Sequence, residues 1–341
     1  MKLSTPHWWY TRHQSARGGG MPMTRALLTP VSWIWAAVTA RRIARTQPFD
    51  PGVPVICVGN LTVGGTGKTP VVRALAQRLA ARGKAVHLLS RGYGGRLEGP
   101  IRVDPARHTA ADVGDEPLML ARDFPVWIAR DRAAGAKAAA DAGAQVVVMD
   151  DGHQNPSVLK ALSLVVVDGE TRDDEWPFGD GRVFPAGPMR EPLKAGLARA
   201  DGAIILLPAD LPSAEPELIR ALSAVPVLSA HLAAVAAPPA GPQVGFAGVG
   251  KPWKVERALK AAGCELADFA PFPDHIAYDA AVLQRLADSA AQFQAGLVTT
   301  EKDWVRLPAE WRARVTPWPV QAVFDDGAAL DALLETILPS T

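Results

Sequence analysis

The sequence predicts an α/β fold in which a parallel sheet is covered by helices on both faces. Three observations carry this prediction. Short apolar segments rich in β-branched residues alternate with helical stretches, which is typical of parallel sheets. A glycine-rich segment, CVGNLTVGGTGKTPVV at residues 57 to 72, follows the first of these apolar segments. A second, smaller α/β pattern follows a joint rich in proline and alanine at residues 233 to 242.

Composition bounds the functions that the chain can have. Its 341 residues suggest two domains with an appendage, and 48% hydrophobic residues allow a sizeable core. The 36 basic and 35 acidic residues nearly balance, so we predict no nucleic-acid partner. Cys57 and Cys264 are too few for a disulfide framework, and we interpret them as reduced core thiols.

Residues 1–49 form the N-terminal appendage. Its apolar run, ALLTPVSWIWAAVTA at residues 26 to 40, is shorter than the roughly 20 residues that cross a bilayer. Basic residues follow this run, and no small-residue cleavage site is evident, so it is a poor signal peptide. Tryptophans beside arginines suit the headgroup layer of a membrane (Trp33, Trp35, Arg41, Arg42 and Arg45).

Two interpretations of this appendage remain open. We predict that residues 1–49 carry a helix lying in a membrane surface. The alternative is an N-terminal helix packed on its own domain. A second aromatic cluster, Trp8, Trp9 and Tyr10, lies upstream, and the glycines at 18 to 20 are expected to separate the two clusters.

Residues 50–240 are predicted to form the larger domain. Five buried strands are expected, at 53–58, 85–90, 145–152, 162–169 and 202–208. Helical patterns are expected at 71–84, beginning near Lys68, and at 132–142.

Residues 241–341 are predicted to form the smaller domain. Strands are expected at 243–250 and near 264–270, helices near 252–262 and 279–293, and a further strand end at LVTTEKD, 297–303.

The glycine-rich segment predicts a phosphate-binding loop of the P-loop NTPase type. Gly67, Lys68 and Thr69 match the second half of the usual pattern, but Thr62 stands where the first glycine is expected. The glycines let backbone N–H groups converge on phosphate, and Lys68 reaches the β- and γ-phosphates. The alternative is a glycine-rich turn with a surface lysine. The nucleotide-binding candidates are Thr62, Gly64, Gly65, Thr66, Gly67, Lys68 and Thr69.

A metal site is predicted beside this loop. The Thr69 hydroxyl can hold Mg²⁺, and Asp150 and Asp151 end a buried strand, VVVMDDG. Two adjacent buried acids are unfavourable unless a cation meets them. One of them can hold the metal through a water while the other orients a neighbour. A structural cap at the strand end is the alternative.

Three kinds of nucleotide machine can be compared. A Ras-like GTPase would show Asn/Thr-Lys-x-Asp, whereas TTEKD at 299–303 has Lys302 and Asp303 adjacent. Deviant-loop ATPases carry a lysine before the double glycine, where this chain has Val63. A small-molecule kinase needs a group that takes the proton of the acceptor hydroxyl, so acids and histidines outside the loop become candidates.

Two segments supply such groups. Asp115 and Glu116 precede a helical stretch, and Asp274 and His275 lie in the smaller domain. A carboxylate and a histidine that meet across an interdomain cleft would share the proton. Asp115 could instead be an N-cap, and His275 a loop or capping residue.

Arginines are candidates for phosphate binding. Arg91 follows a strand in SRGYGG, and Arg190 lies beside Glu191 in a Pro/Gly-rich loop. Arg132 is a further candidate. Solvated or helix-capping roles remain possible for each.

Several segments together resemble one family. In chain order they are PVICVGNLTVGGTGKTP, SRGYGG, GDEPLMLA, VVVMDDGHQ, FPAGPMREPL, FPDH and VTTEKD. This ordered set is similar to tetraacyldisaccharide 4'-kinase, the lipid A 4'-kinase family of Gram-negative bacteria, from about residue 6 to residue 307. In that family the loop begins with Thr rather than Gly.

The resemblance implies an activity and a location. It implies transfer of the ATP γ-phosphate to the 4'-hydroxyl of a tetraacyldisaccharide 1-phosphate, giving lipid IVA, with Mg²⁺. It implies monotopic attachment to the cytoplasmic face of the bacterial inner membrane. We predict no obligate protein partner.

The resemblance also implies roles for residues. Lys68 and Thr69 serve phosphate and metal, and Asp115 is the catalytic base, assisted by His275. The metal and active-site shell comprises Glu116, Asp150, Asp151 and Gln154, and further contacts with substrate are Arg190, Glu191 and Arg132.

The chain departs from the family pattern at three positions, and a second function stays open. His153 replaces a usual Phe, Asn155 a usual His, and Lys251 a usual Asn. The local roles at these positions are therefore open. The alternative function is a membrane-associated P-loop regulatory ATPase.

Overall fold

The computed structural model describes residues 6–12 and 22–338; the glycines at 18 to 20 lie outside these ranges. Thirteen strands form two sheets. They are β1 (Val55–Gly59), β2 (Val86–Ser90), β3 (Ile101–Arg102), β4 (Val126–Ile128), β5 (Val146–Asp150), β6 (Leu162–Asp168), β7 (Gly202–Pro208), β8 (Val227–Ala234), β9 (Gln243–Ala247), β10 (Leu266–Pro271), β11 (Gly296–Thr300), β12 (Val315–Trp318) and β13 (Val320–Phe324).

The helices of the described ranges connect and cover these strands. A short 3-10 helix at His7–Trp9 precedes them. The α-helices are α1 (Pro22–Arg45), α2 (Lys68–Ala81), α3 (Ala110–Val113), α4 (Asp115–Leu120), α5 (Arg132–Asp141), α6 (Leu193–Leu197), α7 (Pro216–Leu222), α8 (Pro252–Ala261), α9 (Ala280–Gln292), α10 (Glu301–Trp304), α11 (Ala309–Arg312) and α12 (Gly327–Glu335).

The larger sheet has nine strands in the order β13-β8-β7-β6-β1-β5-β2-β4-β3. Its strands pair in parallel except at the two edges, where β13 pairs with β8 and β3 with β4 in antiparallel fashion. The predicted parallel sheet is therefore confirmed, and all five of its predicted strands are present. Sequence reasoning missed β3, β4, β8 and β13. Every residue of β1, β2, β5 and β6 is buried, which is why those strands appear in the sequence as continuous apolar runs.

Helices cover both faces of this sheet, as predicted. On one face, α2 and α12 pack with alternate residues of β1 and β5 around Leu75 and Leu330. On the other face, α5 packs against Cys57 and Met149. Next to α5, the segment 176–189 and helices α6 and α7 cover β6 and β7. The central strands are thus packed between helices on both faces.

The smaller sheet has four parallel strands in the order β10-β9-β11-β12. Helix α9 packs against β9 on one face, and α8 packs against β11 and β12 on the other. The observed helices agree closely with those expected near 252–262 and 279–293.

The chain returns to the larger sheet near its C-terminus. β12 ends at Trp318 in the smaller sheet, and β13 begins at Val320 in the larger one. Helix α12 then packs into the main core and is tied to α2 by an ion pair between Arg78 and Asp331. The division at residue 240 stays a prediction, but residues 320 to 338 belong structurally with the larger sheet.

Helix α1 is longer than the apolar run that predicted it. It extends over the arginines that follow the run, and positive side chains in the last turn favour a helix C-terminus. Large apolar side chains on α1 are exposed: Met23, Leu27, Trp33, Ile34 and Val38 are each more than 60% accessible. In the described ranges, no helix is both long enough and apolar enough to cross a membrane.

We expect Leu330→Ala to lower the free energy of unfolding by about 2–5 kcal/mol, since Leu330 is fully buried among residues of the larger sheet. Denaturant unfolding of the full chain measures this loss. The exposed Glu335→Ala on the same helix should stay within about 0.5 kcal/mol of the parent. Equal stability of the two variants would show that α12 does not pack in the main core.

Candidate active site

The site lies where the central parallel strands end. β1 pairs with both β5 and β6 in parallel, so their carboxyl ends meet at one edge of the sheet. Gly59, Asp150 and Asp168 are the last residues of these strands. Ligands of open α/β sheets bind outside this edge.

The phosphate loop joins β1 to α2 through backbone conformations that favour glycine. Gly64 and Gly67 have φ values of 100° and 76°. A Cβ at Gly67 would also lie 2.4 Å from Leu206 Cδ2, so a larger residue would clash there. At Gly65 an added Cβ would meet no heavy atom of the described chain within 4 Å. The loop backbone is therefore tightly packed at Gly67 and open to the cavity at Gly65.

Thr62 holds the start of the loop through its carbonyl group. The Asn60 side-chain amide donates to Thr62 O at 2.8 Å, and Arg190 Nε donates to the same oxygen at 2.9 Å. The Tyr10 hydroxyl donates to the carbonyl of Val63 next along the loop. Thr62 is buried, so in this structure it anchors the loop rather than lining the cavity.

Lys68 and Arg190 meet at Asp151. Lys68 Nζ lies 3.6 Å from Asp151 Oδ1. Arg190 binds both oxygens of this carboxylate, at 2.8 and 3.2 Å. Desolvation acts to raise the pKa of Asp151, but the charges of Lys68 and Arg190 outweigh it and hold that pKa below its usual range. Asp151 therefore stays ionised and orients both cations beside the loop.

Asp150 differs from its neighbour because it is buried without such a partner. Its Oδ1 has no hydrogen-bond partner among the described residues. Burial, followed by the nearby charge of Glu116, raises the pKa of Asp150 to about 7. A buried carboxylate of this kind is stabilised by a cation.

The donors around Asp150 fit a magnesium ion. The Thr66 hydroxyl is also buried with no partner in the described part of the chain. Thr66, Thr69 and Glu116 line one cavity, and the charge of Glu116 acts on Asp150. These are hard oxygen donors, as Mg²⁺ prefers. The described residues contain no group of three or more His, Cys, Asp or Glu side chains suited to a metal ion. Protein-bound Mg²⁺ commonly uses one or two carboxylates together with phosphate and water.

Gln154 and Glu191 form a supporting network beside Arg190. Gln154 accepts from Arg190 Nη1 at 3.3 Å and donates to Glu191 Oε1 at 3.0 Å. Arg199 binds both oxygens of Glu191, at 2.7 and 2.6 Å. Glu191 is buried, so its contacts in this structure are with the protein and it holds Gln154 in place.

Asp115 and His275 meet, although 160 positions separate them. His275 Nδ1 lies 2.9 Å from Asp115 Oδ2, and Arg306 Nε lies 3.0 Å from the same oxygen. The backbone N–H of Glu116 donates to Asp115 Oδ1 at 3.0 Å. Burial acts to raise the pKa of Asp115, but His275, Lys302 and Arg306 together lower it to about 2. The carboxylate is thus ionised at neutral pH.

Lys302 and Arg306 are site residues that sequence reasoning missed. Lys302 Nζ lies 3.0 Å from Glu116 Oε1 and 3.5 Å from Asp274 Oδ1. Burial acts to lower the pKa of Lys302, but Glu116 and its neighbours raise it. Both residues follow β11, so the rule that polar residues after a buried parallel strand face the site could have found them.

A cavity of about 460 Å³ lies between the phosphate loop and the smaller sheet. Its polar end carries the loop, Glu116, Asp274 and Lys302. Its other end is mainly apolar, with α8, Leu206, Leu232 and Trp318 as walls. The cavity is therefore bordered by both α/β units.

The remaining predicted arginines occupy different environments. Arg132 is buried at the first residue of α5, donates to Ala129 O, and has an Nε with no partner in the described ranges. Burial lowers its pKa to about 10, even though Asp150 and Asp151 act to raise it. Arg91 is exposed. Thus Arg132 lies within the electrostatic reach of the two acids, whereas Arg91 extends to the surface.

The three residues that depart from the family pattern each make specific contacts. His153 is buried between Ser163 Oγ at 3.0 Å and Gly196 O at 2.9 Å. Because a carbonyl only accepts, Nε2 donates and Nδ1 accepts from the hydroxyl. Lys251 forms ion pairs with Asp168, at 3.0 Å, and Glu175, which tie α8 to the end of β6. Asn155 accepts from the backbone and hydroxyl of Ser157.

The chain is similar to known proteins over nearly its whole length. A family model described as Tetraacyldisaccharide-1-P 4'-kinase matches residues 24–339. The chain is 73% identical to Tetraacyldisaccharide 4'-kinase of Phenylobacterium zucineum, covering 98% of this chain and 99% of the relative. It is 68% identical to the protein of the same name from Caulobacter vibrioides, covering 99% of each. A crystal structure of LpxK from Aquifex aeolicus in complex with ATP is similar at a TM-score of 0.72 and 25% identity, covering 92% of this chain and 99% of that one.

We expect Asp150→Asn to stabilise the protein without Mg²⁺ or nucleotide at pH 8, by about 1–3 kcal/mol, because it removes a buried charge. The folded-state pKa of about 7 lies above the unfolded value of about 3.9, so the folded state binds the extra proton. Stability of the parent therefore falls as pH rises between these values, and the advantage of the variant grows. Denaturant unfolding at pH 5 and pH 8 measures this change.

Asp151→Asn is the matched control for that experiment. Asp151 is already paired with Lys68 and Arg190, so its replacement should give no stabilisation at either pH. An equal gain in both variants would contradict the contrast between the two acids.

Proposed function

The chain belongs to the tetraacyldisaccharide-1-P 4'-kinase family, and we propose how its own residues carry out the phosphate transfer. Its function is the ATP-dependent phosphorylation of the 4'-hydroxyl of a tetraacyldisaccharide 1-phosphate in lipid A biosynthesis. The observation that carries the mechanism is the contact between Asp115 and His275 beside the cavity that contains Lys68.

ATP occupies the cavity in our proposal, with its phosphates at the glycine-rich loop. The relative from Aquifex aeolicus, whose structure is a complex with ATP, supports this placement. The open backbone at Gly65 and the N-terminus of α2 offer N–H groups to phosphate oxygens. Lys68, held by Asp151, neutralises charge on the transferring group.

Thr69 and Asp150 would hold Mg²⁺, with Glu116 beside them. The missing partner of the Asp150 carboxylate supports this assignment. When bound, the ion supplies neutralisation of the charge that develops on the phosphate oxygens. Lys302, which pairs with Glu116 at 3.0 Å, holds that carboxylate beside the cavity.

Asp115 orients the acceptor hydroxyl and receives its proton. With a pKa of about 2 it is ionised at neutral pH, so it accepts a hydrogen bond from the hydroxyl. A carboxylate with so low a pKa is a weak base. Phosphoryl transfer nevertheless proceeds through a loose transition state, in which positioning matters more than early proton removal. His275 holds Asp115 in place and shares with it the proton that comes from the acceptor hydroxyl.

The remaining site residues contact or support the substrate. Arg190 and Arg132 stabilise phosphate charge from the Asp151 side of the loop, and Arg91, which is exposed at the surface, would contact the acceptor once it is bound. Gln154 and Glu191 hold Arg190, because their polar atoms are bound to Arg190, Arg199 and Asn60. In this proposal their contribution to substrate binding is therefore indirect.

Helix α1 lies in a membrane surface, on the cytoplasmic face of the inner membrane. Its exposed apolar side chains and the arginines of its last turns support this placement. An acyl-bearing substrate stays in the bilayer, so the enzyme that phosphorylates it must approach the membrane. Each arginine near an anionic surface contributes about 1 kcal/mol.

We expect Asp115→Asn to lower kcat by about 10²–10⁴-fold with little change in ATP affinity, because the carboxylate acts on the acceptor hydroxyl. Transfer of label from γ-labelled ATP to purified tetraacyldisaccharide 1-phosphate measures the rate. Asp104→Asn is the control and should keep full activity, because among the described residues the Asp104 carboxylate pairs with neighbours in its own loop. Near-normal turnover of Asp115→Asn would contradict the assignment.

The same assay separates the alternative function. Label that appears in the glycolipid supports the kinase, whereas release of free phosphate alone, with no labelled glycolipid, would support a regulatory ATPase.

We expect Ile34→Asp to reduce binding to vesicles that contain anionic lipid by at least about tenfold, because Ile34 is 65% exposed on α1. Cosedimentation with phosphatidylglycerol-containing vesicles measures the bound fraction. Ile219→Asp places the same change on an exposed isoleucine of α7 and should leave binding unchanged. Equal binding of Ile34→Asp and the parent would show that α1 is not the membrane contact.

A further inference from the structure

We propose that α1 is also part of the phosphate-transfer site, where Trp35 and Arg42 act as positioning residues for Arg190 and Gln154. The proposal deepens the proposed function, since it rests on the assignment of Arg190 and Gln154 to that site. It adds to the membrane role of α1 a direct mechanical link between the helix and the catalytic groups.

Two hydrogen bonds carry this link. Trp35 Nε1 donates to the backbone carbonyl of Arg190 at 3.2 Å. Arg42 Nη2 donates to the backbone carbonyl of Gln154, also at 3.2 Å. The side chains of Arg190 and Gln154 in turn contact each other at 3.3 Å. α1 therefore binds the backbone of both residues in this side-chain pair.

The tethered residues lead directly to the phosphate loop. Arg190 binds both oxygens of Asp151 and the carbonyl of Thr62. Asp151 pairs with Lys68, and Gln154 donates to the carbonyl of Asn60 at 2.9 Å. A shift of the backbone at Arg190 or Gln154 would consequently move the groups that orient Lys68.

Further contacts join α1 to the segment 180–190. Arg25 pairs with Asp180 at 2.9 Å, and the Ser32 hydroxyl accepts from the backbone N–H of Ala186 at 3.1 Å. The Trp35 ring packs edge-on against Phe184 at 5.0 Å between centroids. Residues 25, 32, 35 and 42 lie toward one side of a helix.

The opposite side of α1 carries Met23, Leu27 and Ile34, which are among its most exposed apolar residues. When that side enters a membrane surface, the orientation of the helix becomes fixed. The two hydrogen bonds then join the oriented helix to the backbone of Arg190 and Gln154. Seating on the membrane therefore holds Arg190 and Gln154 in their working positions.

Matched pairs of variants separate this role from membrane binding. Trp35→Phe removes the indole donor, and Trp33→Phe makes the same change where the described residues offer no hydrogen-bond partner. Arg42→Gln and Arg41→Gln remove the same charge from neighbouring exposed positions. Arg42→Lys keeps both a donor and a charge.

The first measurement is kcat at saturating ATP and acceptor on vesicles of phosphatidylethanolamine and phosphatidylglycerol, with the vesicle-bound fraction determined in parallel. We expect Trp35→Phe and Arg42→Gln to have kcat about 2- to 10-fold lower than their matched controls at an equal bound fraction. Arg42→Lys should recover part of the loss. Equal kcat within each matched pair would overturn the proposal.

The second measurement does not depend on activity. Hydrogen exchange of the peptides that span 183–191 and 152–156 should become faster in Trp35→Phe and Arg42→Gln than in Trp33→Phe and Arg41→Gln. Unchanged exchange in all four variants would overturn the proposal. A parent protein that transfers no label to the disaccharide would refute the proposed function, while the exchange data would still decide whether α1 holds these segments.

Discussion

The ionised carboxylate of Asp115 is the group on which the arrangement of the site depends. It is buried at the start of α4, and its Oδ2 is bound by His275 and Arg306, both from the smaller α/β unit. A buried charge that lost these partners would be strongly destabilised, by about 3–5 kcal/mol. The two units are consequently held together beside the cavity that the phosphate loop and Glu116 line. Lys302 and Arg73 add further ion pairs across the same boundary.

Ion pairs also stabilise acidic side chains at the carboxyl edge of the larger sheet. Three acids lie there, and they differ in the cations that pair with them. Asp151 is paired with Lys68 and Arg190, and Asp168 with Lys251 and Lys254. Asp150 alone among the three has an oxygen without a partner in the described chain, which supports the proposed position of Mg²⁺. On the outer side, Trp35 and Arg42 of α1 donate hydrogen bonds to the backbone of Arg190 and Gln154.

The sequence predicted those parts of the protein that a contiguous pattern of residues encodes. The strands of the sheet centre are continuous apolar runs, and the loop with its adjacent acids is contiguous in sequence. β8 is only partly buried, and β13 pairs with it from about ninety positions away, so neither gives a strong local pattern. The contact between Arg306 and Asp115, and that between Trp35 and Arg190, join distant segments. The types of these residues suggest candidates, but only the packing of the units brings them together.

The cooperation of Asp115 and His275 is tested most directly by a double-mutant cycle on the rate of phosphate transfer in a single turnover. The cycle compares Asp115→Asn, His275→Gln and the double variant, with enzyme in excess over the disaccharide acceptor. If the two side chains act as one unit, the double variant should be about as slow as Asp115→Asn alone. Losses that simply multiply would contradict the account, because they would show that the two residues act independently.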